Sequence, residues 1–172
     1  MEITVVKRDG KREPLNIEKF HRVVEYACEG ITGVSSSQVE LKSHIQFYDK
    51  ITSEEIQETI IKAAADLIDE ANPNYQFVAG RLISYDLRKT VYNKFEPVSL
   101  YKHVTKIIKK GFYEPELLNW YTKQEFEIMN SWIDHTRDET LTYAAMEQLR
   151  GKYLVKNRAT GKIHETPQMA FM

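Results

Sequence analysis

Apolar residues at Ile17, Phe20, Val23, Val24 and Ala27 recur three and four apart, the spacing of one face of a helix. Before them, Ile3 to Arg8 reads as a short strand and Lys11 to Leu15 as its return. Asp9-Gly10 between them predicts a two-residue hairpin turn with both turn residues at positive φ. Asn16 is placed to cap the helix, and Gly30 and Gly33 to end it. Ser37 to Glu40 has the spacing of a capping box and opens a second helix, running through Leu41, Ile45 and Phe47. Thr52-Ser53-Glu54-Glu55 is another box, and it starts a third helix carrying Ile56, Ile60, Ala63, Ala64 and Leu67. Asn72-Pro73 opens a fourth, with Val78, Ala79, Leu82, Ile83 and Val91 as its apolar set. The pattern predicts a β-hairpin followed by four helices over residues 1–95.

Phe95-Glu96-Pro97 marks a boundary, because the residue before a proline disfavours helix. Helical spacing resumes at Leu100 to Lys109, Pro115 to Tyr121 and Lys123 to Ile133, the last opened by the box Thr122 to Glu125. A further helix is expected at Leu141 to Leu149. A second short hairpin follows, from Lys152 to Lys156 and back along Lys162 to Glu165, turning at Ala159-Thr160-Gly161. The final Thr166 to Met172 reads as the first turn of an apolar helix that exposes Met169, Phe171 and Met172. The fold class expected is α+β, mostly α.

Composition narrows the function classes. Hydrophobic residues at 42% and charged residues at 28% are ordinary globular values, so a packed core is expected. A net charge of -1 lacks the basic excess of a nucleic-acid binder. The single cysteine, Cys28, excludes an internal disulfide and a four-cysteine zinc site. No apolar run approaches the roughly 20 residues of a membrane span, and no signal-peptide pattern is present, so a cytoplasmic protein is expected.

Four cations, Lys7, Arg8, Lys11 and Arg12, crowd the first turn. They form either a solvated hairpin tip or a phosphate site, since phosphate needs several converging cationic donors. Arg88 and Lys89 at the end of the fourth helix complement its dipole or serve the same anion. Thr52 and Ser53 sit at a helix N-terminus, where they act as caps or as an anion site. Lys106 to Lys110 reads as a solvated helix face. The pair Asp134-His135 lacks a nucleophile beside it, and the histidines show no metal-ligand spacing.

The segments VVKRDGKREPLNIEKFHRVVEYA, SHIQFYD, ITSEEIQETIIKAAADLI, NPNYQFVAGRLISYDLRKTVY and FEP together resemble the ATP-cone. This is the nucleotide-sensing domain at the N-terminus of ribonucleotide reductase large chains. The later YEPELLNWYT and DHTRDETLTYAAMEQLRGKYLVKNRATGKIHETPQMAFM resemble the start of the catalytic region of class I ribonucleoside-diphosphate reductase, of bacterial and phage type. The resemblance implies an ATP-cone over residues 1–95 and an incomplete catalytic region over 96–172. It implies ATP or dATP as effector, with Mg2+. Lys7 and Arg8 then face phosphates, Glu13 and Asn16 read the adenine edge, and Lys19 adds a cation. Ser53 stands where the family usually has Thr, Lys89 closes the pocket, and Gln57 stands where the familiar bacterial enzyme has histidine. Glu55 likewise replaces an aspartate.

The implied partners are the remainder of the large chain, a radical-bearing small subunit and further copies of the large chain, with no nucleic acid and no membrane. Cys28 matches none of the family's reaction cysteines, so this stretch alone is expected to be inactive. A free-standing ATP-cone regulator and a fragment that keeps the fold without the ligand are the alternatives. The zinc-ribbon form of such a regulator needs paired CxxC motifs that this sequence lacks.

Overall fold

The computed structural model describes residues 3–172 and is mostly α, with one small sheet. Its Cα packing forms two units. The first holds residues up to Ile83 plus Leu141–Ala145, and the second holds Ser84–Thr140 plus Met146–Met172.

In the first unit, β1 (Thr4–Val6) pairs antiparallel with β2 (Arg12–Pro14). The expected hairpin is present, but its turn differs. Lys7 N–H donates to the Lys11 carbonyl at 2.8 Å and Gly10 N–H to the Lys7 carbonyl at 2.9 Å, leaving three residues in the loop. Gly10 alone there has positive φ, +82°. This is a type I turn closed by a left-handed glycine, so Asp9 needs no positive φ; its carboxylate accepts from the Lys11 N–H at 3.1 Å.

α1 (Ile17–Cys28) buries Phe20, Val24 and Ala27 and leaves Ile17 exposed. α2 (Ser36–His44) begins earlier than the spacing suggests. Ser35 caps it, accepting from the Gln38 N–H at 3.4 Å, while Glu40 pairs with His21 Nδ1 at 2.8 Å instead of closing a box on Ser37. That register turns Val39 and Ser43 inward and leaves Leu41 and Ile45 exposed. Buried Ser43 satisfies its hydroxyl on the Val39 carbonyl at 2.7 Å.

The two-residue β3 (Ile51–Thr52), unforeseen in the sequence, pairs parallel with β1 and runs straight into α3 (Ser53–Ala65). Thr52 and Glu55 form both halves of the predicted capping box. α3 buries Ile60, Ile61, Ala63 and Ala64. α4 (Tyr75–Tyr92) starts two residues after Pro73, because Asn72 to Asn74 form a turn whose carbonyls accept from Tyr75, Gln76 and Phe77. The buried Tyr75 hydroxyl accepts from Ser35 N–H at 2.9 Å and donates to Gln38 at 2.8 Å, tying the start of α4 to the start of α2.

In the second unit, α5 (Leu100–Lys109) and α7 (Lys123–Trp132) follow the predicted spacing, and Thr122 with Glu125 completes its box. α6 (Leu117–Trp120) is shorter than expected. Leu100, Val104 and Phe126 pack with Val91, Tyr92 and Met169. Residues His135–Thr140 form a 3-10 turn, and α8 (Tyr143–Gln148) is continued by a π turn over Leu149–Tyr153. That turn takes Lys152 and Tyr153 from the expected first strand, and the second hairpin is reduced to one antiparallel bridge, Lys156 to Ile163, flanked by the Asn157 N–H donating to the Lys162 carbonyl and the His164 N–H donating to the Val155 carbonyl, each at 2.9 Å. α9 (Pro167–Ala170) buries Met169, which was expected in solvent, while Phe171 and Met172 remain exposed.

Candidate functional site

The parallel β1–β3 pair sets the geometry. Val6 stands opposite Thr52, so the strands end side by side. One leads into the cationic turn and the other into the N-terminus of α3. Asp49 fastens this arrangement by accepting from the Thr4 N–H at 3.0 Å, a bond that also holds its carboxyl below the usual range. The orphan N–H groups of the first turn of α3 therefore lie beside Lys7 and Arg8, a combination suited to anions.

Both cations meet carboxylates there. Lys7 Nζ lies 2.7 Å from Glu13 Oε1, and Arg8 Nε lies 3.3 Å from Glu54 Oε1. Glu13 reaches Lys7 because it sits on β2 opposite Val5. Asn16 caps α1, and its Oδ1 accepts from the Lys19 N–H at 2.8 Å. That bond uses the amide oxygen and not the NH2 group. Lys19 is exposed in the first turn of α1. Thr52 is spent on its capping box, which holds the Glu55 carboxyl below its usual range. Ser53, next along, begins α3 and is half-buried.

Gln57 is not among the groups at this edge. It is buried, and its Nε2 donates to the Leu82 carbonyl at 3.3 Å. Lys89 lies in the second unit, on the last turn of α4, with Nζ 5.5 Å from the Tyr85 ring centre. Arg88, a candidate anion ligand by sequence, is buried instead. It donates to the His135 carbonyl at 2.7 Å and lies 4.7 Å over the Phe95 ring. Sequence reasoning missed Glu54. Its position beside Arg8 follows from β3, and two residues are too few to show a strand period.

The sequence model of the ATP cone domain matches residues 3–90. The chain belongs to the ATP-cone family. The ATP-cone stretch holds every candidate residue at the strand ends and also Lys89. The likeness continues past it. The chain is 54% identical over 170 residues to subunit alpha of ribonucleoside-diphosphate reductase 1 from Escherichia coli, covering 99% of this chain and 22% of that protein. The corresponding Haemophilus influenzae subunit is 51% identical over 170 residues, again 99% of this chain and 22% of the relative. That of enterobacteria phage T4 is 41% identical over 172 residues, with the same coverage. The chain thus spans 22% of the length of these relatives. Among the described residues, no cluster of three or more metal-ligating side chains exists, and no helix is long and apolar enough to cross a membrane.

Proposed function

We propose that this ATP-cone binds ATP or dATP, and that the chain is the allosteric N-terminal segment of a ribonucleoside-diphosphate reductase large subunit. The observation that carries the reading is the register Val6 to Thr52, which sets Lys7 and Arg8 beside the N-terminus of α3. Phosphates take the field of that helix end, the two cations and Lys19. Ser53 supplies a hydroxyl. Glu13 accepts from the adenine amino group, and Asn16 donates to a ring nitrogen. Mg2+ rides on the phosphate oxygens. Lys89 enters on the family resemblance alone, as does Gln57 as a determinant of the choice between dATP and ATP. Control of the reductase then works through unequal affinity for two states of the assembly with its small subunit.

Calorimetric titration of the 172-residue chain tests this. ATP and dATP should bind at micromolar concentration. Lys89→Ala should weaken ATP by about 1.5–3 kcal/mol, the scale of a hydrogen bond to a charged group. Absence of heat at millimolar nucleotide overturns the reading, and unchanged affinity in the variant removes Lys89 from it.

A further inference from the structure

We propose that Glu54 is a built-in competitor of the nucleotide phosphates, and thereby sets how strongly the site distinguishes triphosphates from nucleotides with fewer phosphates. The inference rests on the nucleotide reading above and concerns a residue that reading does not use.

Glu54 occupies the place a phosphate oxygen needs in two respects. Its Oε1 lies 3.3 Å from Arg8 Nε, so a phosphate that pairs with this guanidinium must exchange with the carboxylate. Glu54 is also the second residue of α3, within the first turn, where the helix field favours one negative charge and a phosphate would bring more. With Glu55 beside it and Glu13 on Lys7, three carboxylates stand among the cations of this edge. The exchange is easy, since the Glu54 side chain is 69% exposed and exposed ion pairs are weak. The competition is electrostatic, so it grows with the charge of the ligand. A monophosphate can use Lys7 and avoid Glu54. A triphosphate must span both sides and gains most when the carboxylate is neutralised.

Glu54→Gln keeps the shape and removes the charge. Affinities for adenosine, AMP, ADP and ATP should be measured by calorimetry on the full 172-residue chain. Glu70→Gln, an exposed site beyond the end of α3, serves as the control of equal charge change. Glu54→Gln should tighten ATP by about three- to tenfold, ADP less, and leave adenosine unchanged, whereas Glu70→Gln should match the parent. Added salt should shrink the gain. Weaker or unchanged ATP binding in Glu54→Gln, with the parent binding normally, overturns the proposal, because Glu54 would then be positioning Arg8 and not competing for it. An equal gain for adenosine also overturns it. Binding by Glu54→Gln alone, with a silent parent, supports it in its strongest form. If neither protein binds ATP, the nucleotide reading fails and this inference falls with it.

Discussion

Asp138 is fully buried, with one carboxylate oxygen accepting from Gln168 at 3.0 Å and the other without a hydrogen-bond partner among the described residues. Burial raises its pKa from 3.8 to about 6, against the lowering effects of Gln168 and Arg88. His103 is buried too, and burial with nearby Lys106 lowers its pKa from 6.5 to about 4. The two act in opposite senses over one pH window. Between about pH 4 and 6 the native Asp138 holds a proton that the unfolded chain has lost, so its contribution falls as pH rises. Over about pH 4 to 6.5 the unfolded His103 holds a proton that the native one lacks, so its contribution falls as pH drops. Asp138→Asn should remove the first effect and expose the second. Relative to the parent, the variant should gain stability from pH 4 to 7.5 by up to roughly 3 kcal/mol, read from urea unfolding at both pH values. A pH-independent difference would mean that Asp138 titrates normally.

The elements that carry strong local signals stand where the spacing puts them. Thr52–Glu55 and Thr122–Glu125 form complete capping boxes, because a short side chain and a carboxylate three residues on satisfy each other without outside help. The start of α2 does not follow its local signal. Three serines in succession offered equivalent caps, and the choice fell to Glu40, which His21 on α1 holds. Gly80 shows a similar dependence on a distant segment. In isolation α4 would gain about 1 kcal/mol from alanine at this position. Yet a Cβ there would lie 2.1 Å from the Leu141 carbonyl oxygen, a backbone atom. Gly80→Ala should therefore destabilise the first unit by about 1–3 kcal/mol, measured by chemical denaturation. A gain in stability would show that residues 141–145 yield at little cost.

At the scale of the whole chain, chemistry is limited by one residue type. Reduction of a ribose by a dithiol takes two thiols, and the 172-residue chain has Cys28 alone. That thiol is half-buried and pushed by burial up to about 11, far from a reactive thiolate at neutral pH. Incubated with a ribonucleoside diphosphate and a thiol reductant, the chain should give no deoxynucleotide while still binding ATP. Turnover in that assay would contradict the assignment of this chain to regulation. The regulatory reading and the lack of turnover are thus separable in one preparation.

The sequence by itself determined the mostly helical class, the hairpin, the four helices after it, two capping boxes and the family, since each depends on contacts a few residues apart or on motifs read in order. Through the family resemblance it also marked Lys7, Arg8, Glu13, Asn16, Lys19, Ser53, Gln57 and Lys89 as candidates. Only the tertiary structure decided which of these meet. The pairing of Val6 with Thr52 joins residues 46 positions apart through a strand too short to leave a pattern, and with it Glu54 reaches Arg8. Gln57 turned inward to the Leu82 carbonyl, and Arg88 is buried on the His135 carbonyl and the Phe95 ring. Polar side chains such as these take the partner that packing brings within hydrogen-bond reach, and a buried one left without a partner costs more than any local preference returns.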